Sequence, residues 1–123
     1  MRKKVLIVDD EPHLRLLYET ELRRAGFETM TAANAEQGLE YVTTMPPDIV
    51  ILDIRMAGMD GIEALQRILE RNSSIPVILN TAYSSYRDNF MTWAADAYIT
   101  KSSDVTELVE KVKELTRSEA IQS

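Results

Sequence analysis

The chain has 123 residues, of which 45% are hydrophobic, so it is long enough to fold as one domain around a substantial core. Its formal charge of -6 at pH 7 argues against nucleic acid or an anionic membrane as a direct partner, because both carry negative charge. The absence of cysteine excludes disulfides, thiolate metal sites and cysteine nucleophiles. No apolar run approaches membrane-spanning length and the N-terminus lacks a signal peptide's apolar region, so we expect a cytoplasmic location.

Strand-like and helix-like segments alternate along the chain, which is the pattern of a parallel sheet with crossover helices. The first strand leads into a helix that Pro12 opens and Gly26 ends. Residues 27–32 alternate apolar and polar side chains and form the most polar strand candidate, so we place them at an edge of the sheet. A second helix follows, opened by a capping box of Asn34 and Gln37.

The second half of the chain repeats this alternation around two apolar runs. Ile49–Leu52 predicts a short strand buried on both faces, and residues 76–81 predict another, with a helix between them. A fourth and less regular helix spans about residues 86–95. A last strand at 97–100 is followed by a helix whose apolar stripe ends near Leu115.

These elements predict a doubly wound, flavodoxin-like α/β fold with five parallel strands in the order 2-1-3-4-5 and five helices. Hydrophobicity suggests this order, because the most polar strand suits an edge and the apolar strands suit the centre. We expect the domain to occupy residues 1–117, followed by a polar C-terminal tail at 118–123.

Acidic side chains follow two of the predicted strands where each strand ends. Asp9 and Asp10 follow the first strand and Asp53 follows the third. The carboxyl ends of parallel strands meet at the edge where open α/β sheets bind ligands. Because carboxylates so close together repel each other, we expect them to hold a hard cation such as Mg²⁺, which prefers oxygen ligands. Asp10 and Asp53 are the predicted ligands, with a backbone carbonyl near Arg55.

Thr81 and Lys101 end the two remaining strands, so they are predicted to lie at the same edge. With Asp53 they meet the demands of phosphoryl transfer to a carboxylate, in which the aspartate is the nucleophile and carries an acyl phosphate. Lys101 would supply a positive charge and Thr81 a hydroxyl donor to the phosphoryl group. The metal would neutralise further charge, and positioning would do most of the remaining catalysis.

Five short motifs, in this order and spacing, resemble the response regulator receiver domain of two-component signal transduction. They are Val8-Asp9-Asp10-Glu11, Leu52-Asp53, Met59-Asp60-Gly61, Thr81-Ala82 and Tyr98-Ile99-Thr100-Lys101. The resemblance runs from about Lys4 to Leu115, which is nearly the whole chain.

The resemblance assigns a role to each residue at the predicted edge. It implies that Asp53 is the phosphoacceptor and that Asp9 and Asp10 form the Mg²⁺-binding pair. It implies that Thr81 is the switch hydroxyl and Lys101 the phosphate-binding lysine. By the same resemblance, the aromatic residue that turns inward when the switch hydroxyl moves toward the phosphoryl group is Tyr98.

The resemblance also implies a signalling protein and not an enzyme, with only self-phosphorylation and self-dephosphorylation chemistry. The phosphodonor would be a phosphohistidine on a sensor histidine kinase or a histidine phosphotransfer protein. A downstream protein partner would bind the face around the fourth helix, the fifth strand and the fifth helix. The protein would be a monomer or a phosphorylation-dependent dimer, and either a stand-alone signalling protein or the receiver of a larger regulator.

Several residues depart from the family's pattern. Ser102 stands where the family usually has proline, and a cis peptide bond costs about 2.5–4 kcal/mol before serine against about 0.5–1 kcal/mol before proline. Ala57 and Ala94 replace a usual proline and a usual glycine. Asn80 places an amide in a strand that is normally apolar, and the interval from Thr81 to Lys101 is slightly short.

Arg55 and Tyr83 lie two residues past Asp53 and Thr81, respectively, and are predicted to border the pocket. We expect them to tune hydrolysis of the phosphoaspartate by controlling the access of water.

Three alternatives to a signalling receiver remain open. A Mg²⁺-dependent phosphohydrolase with an aspartyl nucleophile usually has a second aspartate two residues beyond it, where this chain has Arg55. A flavin-binding module of the same fold class needs a hydroxyl- and glycine-rich loop after the first strand, where Asp9-Asp10-Glu11 would repel a phosphate. A degenerate receiver that serves only as a protein-binding scaffold stays possible because of Ser102.

Overall fold

The computed structural model describes residues 2–54, 61–82, 94–101 and 104–117. Within these ranges the strands are β1 (Lys4–Val8), β2 (Glu28–Ala32), β3 (Ile49–Leu52), β4 (Val77–Thr81) and β5 (Ala97–Thr100), and the helices are α1 (Pro12–Arg24), α2 (Ala35–Thr44), α3 (Gly61–Arg71) and α4 (Thr106–Leu115). These four helices are the first, second, third and fifth predicted helices, whereas most of the predicted fourth helix lies outside the described ranges. In the part of the chain that the structure describes, no helix has the length and hydropathy needed to cross a membrane.

The strands form one parallel sheet in the order β2-β1-β3-β4-β5, which confirms the predicted topology. Every residue of β3 and β4 is buried, because helices cover both faces of the central strands. β2 is the polar edge strand, as predicted, with Glu28 exposed and only Ala32 fully buried.

Two apolar clusters lie on opposite faces of the sheet, because successive side chains of a strand point to opposite sides. Ile7 belongs to the cluster under α1 and α4, which includes Leu22 and Val112. Its neighbour Leu6 belongs to the cluster under α2 and α3, which includes Leu65. The sheet therefore separates two cores. A residue just beyond a strand end, such as Asp9 or Asp53, points toward one of these two sides.

The signals at the helix ends act nearly as predicted. Pro12 is the first residue of α1, and the chain leaves the helix through Gly26 at φ 99°, a left-handed conformation that glycine adopts most readily. At the start of α2, the Asn34 side chain accepts a hydrogen bond from Gln37 N at 2.8 Å. The reciprocal bond of the capping box is shifted by one residue, since Gln37 Oε1 accepts from Ala33 N.

Candidate functional site

The predicted acidic residues meet at the carboxyl edge of the sheet. β1 and β3 are paired with Ile7 opposite Ile51, so Asp9 and Asp53, two residues further on, emerge side by side. One carboxylate oxygen from each of Asp9, Asp10 and Asp53 lies within 4.8 Å of the others. Asp9 and Asp53 are buried, with 2% and 4% of their surface exposed, whereas Asp10 is exposed.

The backbone fixes the two buried carboxylates by extending the sheet one residue beyond each strand. Asp53 N donates to Val8 O at 3.0 Å, and Asp9 N donates to Ala32 O at 3.1 Å. The positions of the carboxylates therefore follow from strand pairing and do not depend on a free loop.

Lys101 lies directly between the buried carboxylates. Its backbone N donates to Thr81 O at 2.7 Å, which ties the end of β5 to β4. Its Nζ lies 2.8 Å from Asp9 Oδ2 and 3.1 Å from Asp53 Oδ2, and the side chain is only 11% exposed. Glu11 Oε1 is further away, at 3.9 Å.

The local charges determine the protonation of Lys101. Burial by itself lowers the pKa of Lys101, because it disfavours a charged ammonium. The hydrogen bonds and negative charges of Asp9 and Asp53 outweigh burial and raise the pKa above its usual 10.5. Lys101 is therefore a permanent cation at neutral pH, and it balances part of the negative charge of the site.

The turn between β1 and α1 holds Asp9 in place with two hydrogen bonds that the sequence did not predict. Glu11 N donates to Asp9 Oδ1 at 3.0 Å, and Arg15 Nη1 donates to Asp9 O at 2.7 Å. Arg15 lies one helical turn beyond Glu11, so it faces back toward the strand end. In the sequence, only this spacing of four residues pointed to a contact between Arg15 and the end of β1. The same spacing is found for ordinary surface residues of a helix, so it does not single out Arg15.

Gly61 closes the site from behind Asp53. Its N donates to Ile54 O at 2.9 Å. A Cβ at this position would lie 2.3 Å from Ile54 Cα and 2.7 Å from Asp53 O, both of them backbone atoms. The glycine of the Met59-Asp60-Gly61 motif is therefore required for the close approach of α3 to the end of β3.

Thr81 and Tyr98 lie on the other face of the sheet. Thr81 is fully buried at the end of β4, and Tyr98 packs against the cluster under α2 and α3. Tyr98 is paired with Leu79, two residues before Thr81, so alternation places the Tyr98 and Thr81 side chains on the same face. Their predicted switch role stays a prediction.

Arg55 and Tyr83, the predicted border of the pocket, lie outside the described residues, as do Ala57 and Ser102. The predicted carbonyl ligand near Arg55 and the nature of the Lys101–Ser102 peptide bond therefore stay predictions.

Two buried polar side chains that the sequence did not assign to the site lie near Lys101. Asn80 of β4 is buried, and so is Tyr18 of α1. Burial raises the pKa of the Tyr18 phenol above its usual 10.0, while the Asn80 amide and the charge of Lys101 act in the opposite direction. The only available signal was an amide in an apolar strand, two residues after Ile78.

The residues fit a hard divalent cation. Three carboxylates offer one oxygen each within a space of 4.8 Å, and oxygen ligands of this kind are those that Mg²⁺ takes in proteins. The Lys101 ammonium now supplies positive charge at the same place, which indicates that this arrangement needs a compensating cation.

Comparison with known proteins shows a family. Residues 5–113 match the model of the response regulator receiver domain. Sporulation initiation phosphotransferase F of Bacillus subtilis is 37% identical over 115 residues, which cover 92% of this chain and 93% of that protein. The alkaline phosphatase synthesis transcriptional regulatory protein PhoP of the same organism is 32% identical, but this chain spans only 51% of its length.

Solved structures give the same result. The response regulator TrrA of Thermotoga maritima, in complex with Mg²⁺–BeF, superposes with a TM-score of 0.89 at 45% identity, over 92% of this chain and 98% of that one. TrrA in complex with the histidine kinase ThkA gives a TM-score of 0.86 at the same 45% identity, over 92% of this chain and 97% of that one.

Proposed function

Since the chain belongs to the response regulator receiver domain family, we propose that it accepts a phosphoryl group on Asp53 from a phosphohistidine. The donor is a sensor histidine kinase or a histidine phosphotransfer protein. One observation carries the proposal: a buried aspartate at a strand end lies beside two more carboxylates and 3.1 Å from a buried ammonium. That combination suits a carboxylate nucleophile and a negatively charged group in transfer.

The transfer moves one phosphoryl group between two side chains. A carboxylate oxygen of Asp53 bonds to phosphorus while the bond from phosphorus to the donor's imidazole nitrogen breaks. The electron pair of that bond stays on the imidazole, which regains a neutral or protonated form by taking up a proton from solvent. Lys101 stabilises negative charge on the phosphoryl oxygens, because its ammonium is already held at Asp53 Oδ2.

We propose that Asp9, Asp10 and Asp53 hold Mg²⁺, with a backbone carbonyl near Arg55 as a further ligand. The ion supplies positive charge that neutralises the phosphoryl oxygens during transfer. Asp10 is the exposed member of the three, so it is the residue through which the site opens to solvent. The Mg²⁺–BeF complex of the 45% identical TrrA supports this assignment.

Phosphorylation is proposed to act as a signal and not as a step in the turnover of a substrate. A phosphoryl group adds roughly one to two negative charges, which Thr81 and Tyr98 would convert into a change of the face around the predicted fourth helix, β5 and α4. A downstream protein partner would recognise that face. The complex of TrrA with a histidine kinase supports a kinase as the upstream partner. Cytoplasmic location, dimerisation on phosphorylation and the tuning roles of Arg55 and Tyr83 stay predictions.

The proposal is tested by intact-mass measurement after incubation with acetyl phosphate, with MgCl₂ or with EDTA. The wild-type protein is expected to gain one phosphoryl group with MgCl₂ and none with EDTA, and Asp53→Asn is expected to gain none in either. Asp48→Asn is the matched control, because Asp48 lies just before β3, at the opposite end of the strand from Asp53, and its carboxylate accepts a hydrogen bond from Lys4 N at 2.7 Å.

Two results would contradict the proposal. Equal labelling of Asp53→Asn would place the phosphoryl group elsewhere, and an unlabelled wild-type protein would leave only a protein-binding scaffold. Repeated turnover of a free phosphate ester would instead favour the phosphohydrolase.

A further inference from the structure

Asn80 is a buried amide in a strand that is otherwise closely packed and mostly apolar. Its side chain is 3% exposed, and Val77, Ile78 and Leu79 before it are fully buried. In the part of the chain that the structure describes, Asn80 Nδ2 has no hydrogen-bond partner. A buried donor without a partner destabilises a fold, so its presence here requires an explanation.

The strand register places this amide beside the proposed phosphoacceptor. Ile51 of β3 is paired with Ile78 of β4, and both belong to the cluster under α1 and α4. Two residues further along each strand are Asp53 and Asn80, so their side chains point to the same face from neighbouring strands. The amide is thus a lateral neighbour of the Asp53 carboxylate.

Tyr18 confirms this placement from the helix side. Its phenol interacts with the Asn80 amide and with the charges of Lys101, Asp9 and Asp53. These groups therefore share the face of the sheet that α1 covers. The amide lowers the pKa of the Tyr18 phenol, as a donor near the phenol oxygen does, but the geometry falls short of a hydrogen bond and Nδ2 has no partner among the described residues.

Lys101 must pass over the strand that carries Asn80. It follows β5 and reaches Asp9 beyond β1, so it crosses β4 and β3 on the way. Three strand spacings are roughly 14 Å, a span that the lysine side chain covers together with the 2.8 Å ion-pair distance and the Asp9 side chain that reaches toward it. In the unphosphorylated protein, the Lys101 ammonium donates a hydrogen bond to Asp53 Oδ2. The Asn80 amide on the neighbouring strand has no acceptor among the described residues.

We propose that Asn80 is a positioning residue whose amide donor becomes hydrogen-bonded to the Asp53 carboxyl group when a phosphoryl group on Asp53 draws Lys101 toward itself. This inference rests on the proposed function. The unpaired donor destabilises the resting form, and the new hydrogen bond stabilises the phosphorylated form. Both effects shift the equilibrium between these forms toward the phosphorylated one. Asn80 therefore favours the phosphorylated form over the resting form.

The test uses Asn80→Leu, which keeps a similar side-chain shape and removes the donor. Beryllofluoride with MgCl₂ serves as a stable phosphoryl analogue, and thermal unfolding is followed with and without it. Without the analogue, the variant is expected to melt higher than wild type, by roughly 2–8 °C, because it lacks an unpaired buried donor. Beryllofluoride is expected to raise the melting temperature of the variant by less than it raises that of wild type. The apparent Kd of the variant for beryllofluoride should be weaker by roughly fivefold to tenfold.

The control variant is Ile78→Leu, a volume-conserving change on the same strand and the same face. It is expected to leave the response to beryllofluoride at the wild-type level. A loss of response in both variants would show that any repacking of β4 has this effect, and it would overturn the role of Asn80.

A spectroscopic measurement separates positioning from packing. The side-chain NH₂ signals of Asn80 are assigned in a ¹⁵N-labelled sample by their loss in Asn80→Leu. Beryllofluoride with MgCl₂ is expected to move one of these protons downfield and to slow its exchange with water, as a new hydrogen bond requires. Unchanged signals in a protein that binds the analogue would overturn the inference.

Failure of the inference and failure of the proposed function give different results. If wild type binds beryllofluoride and Asn80→Leu binds it equally well, only the role of Asn80 is wrong. If wild type does not respond and Asp53→Asn behaves identically, the phosphoacceptor role is wrong and the inference is wrong with it.

Discussion

Lys101 and its two closest carboxylate partners, Asp9 and Asp53, form a cluster of three buried charged groups. Burying three charged groups is unfavourable, because each loses its hydration, and their mutual attraction offsets this only while the set is complete. Asp9 and Asp53 are both nearly inaccessible, and the lysine side chain is 11% exposed, so solvent screens the interaction weakly. Removal of the cation alone therefore leaves two buried negative charges facing each other.

We predict that Lys101→Met lowers the free energy of unfolding by roughly 3–5 kcal/mol at pH 7 in EDTA, the range for removing one partner from a buried ion pair. Saturating MgCl₂ should recover part of this loss, because a divalent cation replaces the missing positive charge. Urea unfolding of wild type and Lys101→Met, in EDTA and in MgCl₂, measures the difference in the free energy of unfolding.

Lys113→Met is the control for this comparison. Lys113 forms an exposed ion pair with Glu110 and is 48% exposed, so its removal should change stability by no more than about 0.5 kcal/mol. Equal effects of the two substitutions would show that the ion pairs at Lys101 add no stability.

The pH dependence of the same difference has a definite sign. The folded-state pKa of Lys101 lies above 10.5, so the stabilisation is complete below that pH and is lost as the pH rises through the folded-state pKa. The gap between wild type and Lys101→Met should thus stay constant from pH 7 toward 10 and narrow only above 10.5. A gap that narrows between pH 7 and 9 would contradict this.

At the scale of elements, the junction of β3 and α3 is the tightest contact behind the site. α3 starts at Gly61, whose N is bonded to Ile54 O at 2.9 Å, directly behind Asp53. A side chain at the start of α3 would meet backbone, which cannot move away without shifting the strand end. The position of the helix and the position of the carboxylate are therefore coupled.

We predict that Gly61→Ala destabilises the protein by about 2–4 kcal/mol, because the added Cβ forces backbone atoms apart. The matched control is Gly38→Ala in α2, where the three atoms nearest to the new Cβ belong to the Val8 side chain, with Cγ2 at 2.9 Å. Alanine also favours the helix by about 1 kcal/mol over glycine, so this variant should lose much less. Urea unfolding of both variants decides the point, and equal losses would contradict it.

Local sequence patterns predicted the elements because each pattern has a local cause. The run Ile49–Leu52 is apolar at every position because it is covered on both faces, and Gly26 ends α1 because its φ is 99°. The need for glycine at position 61 and the proximity of Tyr18 to Asn80 have no local cause. Both depend on contacts between segments that are separated in the chain. Local patterns of residue types in a single sequence do not predict such contacts.

The same distinction holds for the candidate site. Strand ends and parallel pairing were enough to predict that Asp9, Asp10, Asp53 and Lys101 would meet, and they do. The direction in which each side chain points, and hence which oxygen the ammonium contacts, depends on packing against α1. Arg15 and Tyr18 were missed for that reason.

For the molecule as a whole, the central strands join the two cores. β1, β3 and β4 contribute residues to both clusters, whereas β2 has exposed or half-buried residues at four of its five positions. Opening the centre of the sheet exposes both cores at once, but fraying β2 exposes little apolar surface. The stability of the molecule is therefore concentrated in three strands.

We predict that native-state hydrogen exchange shows the slowest amides in β1, β3 and β4. Amides of β2 should exchange at least roughly tenfold faster, a difference of about 1.4 kcal/mol in opening free energy. The comparison is made within one ¹⁵N-labelled sample by NMR. Protection of Met30 equal to that of Val50 would mean that the sheet opens as one unit.

The reach of Lys101 has a mechanical meaning beyond its charge. Its ion pair with Asp9 links the end of the edge strand β5 to the end of β1, across the two intervening strands β3 and β4. A group that competes for the ammonium would weaken this link, so a chemical change at either buried carboxylate would act on the position of β5. β5 would then be able to move while β1, β3 and β4 stay paired.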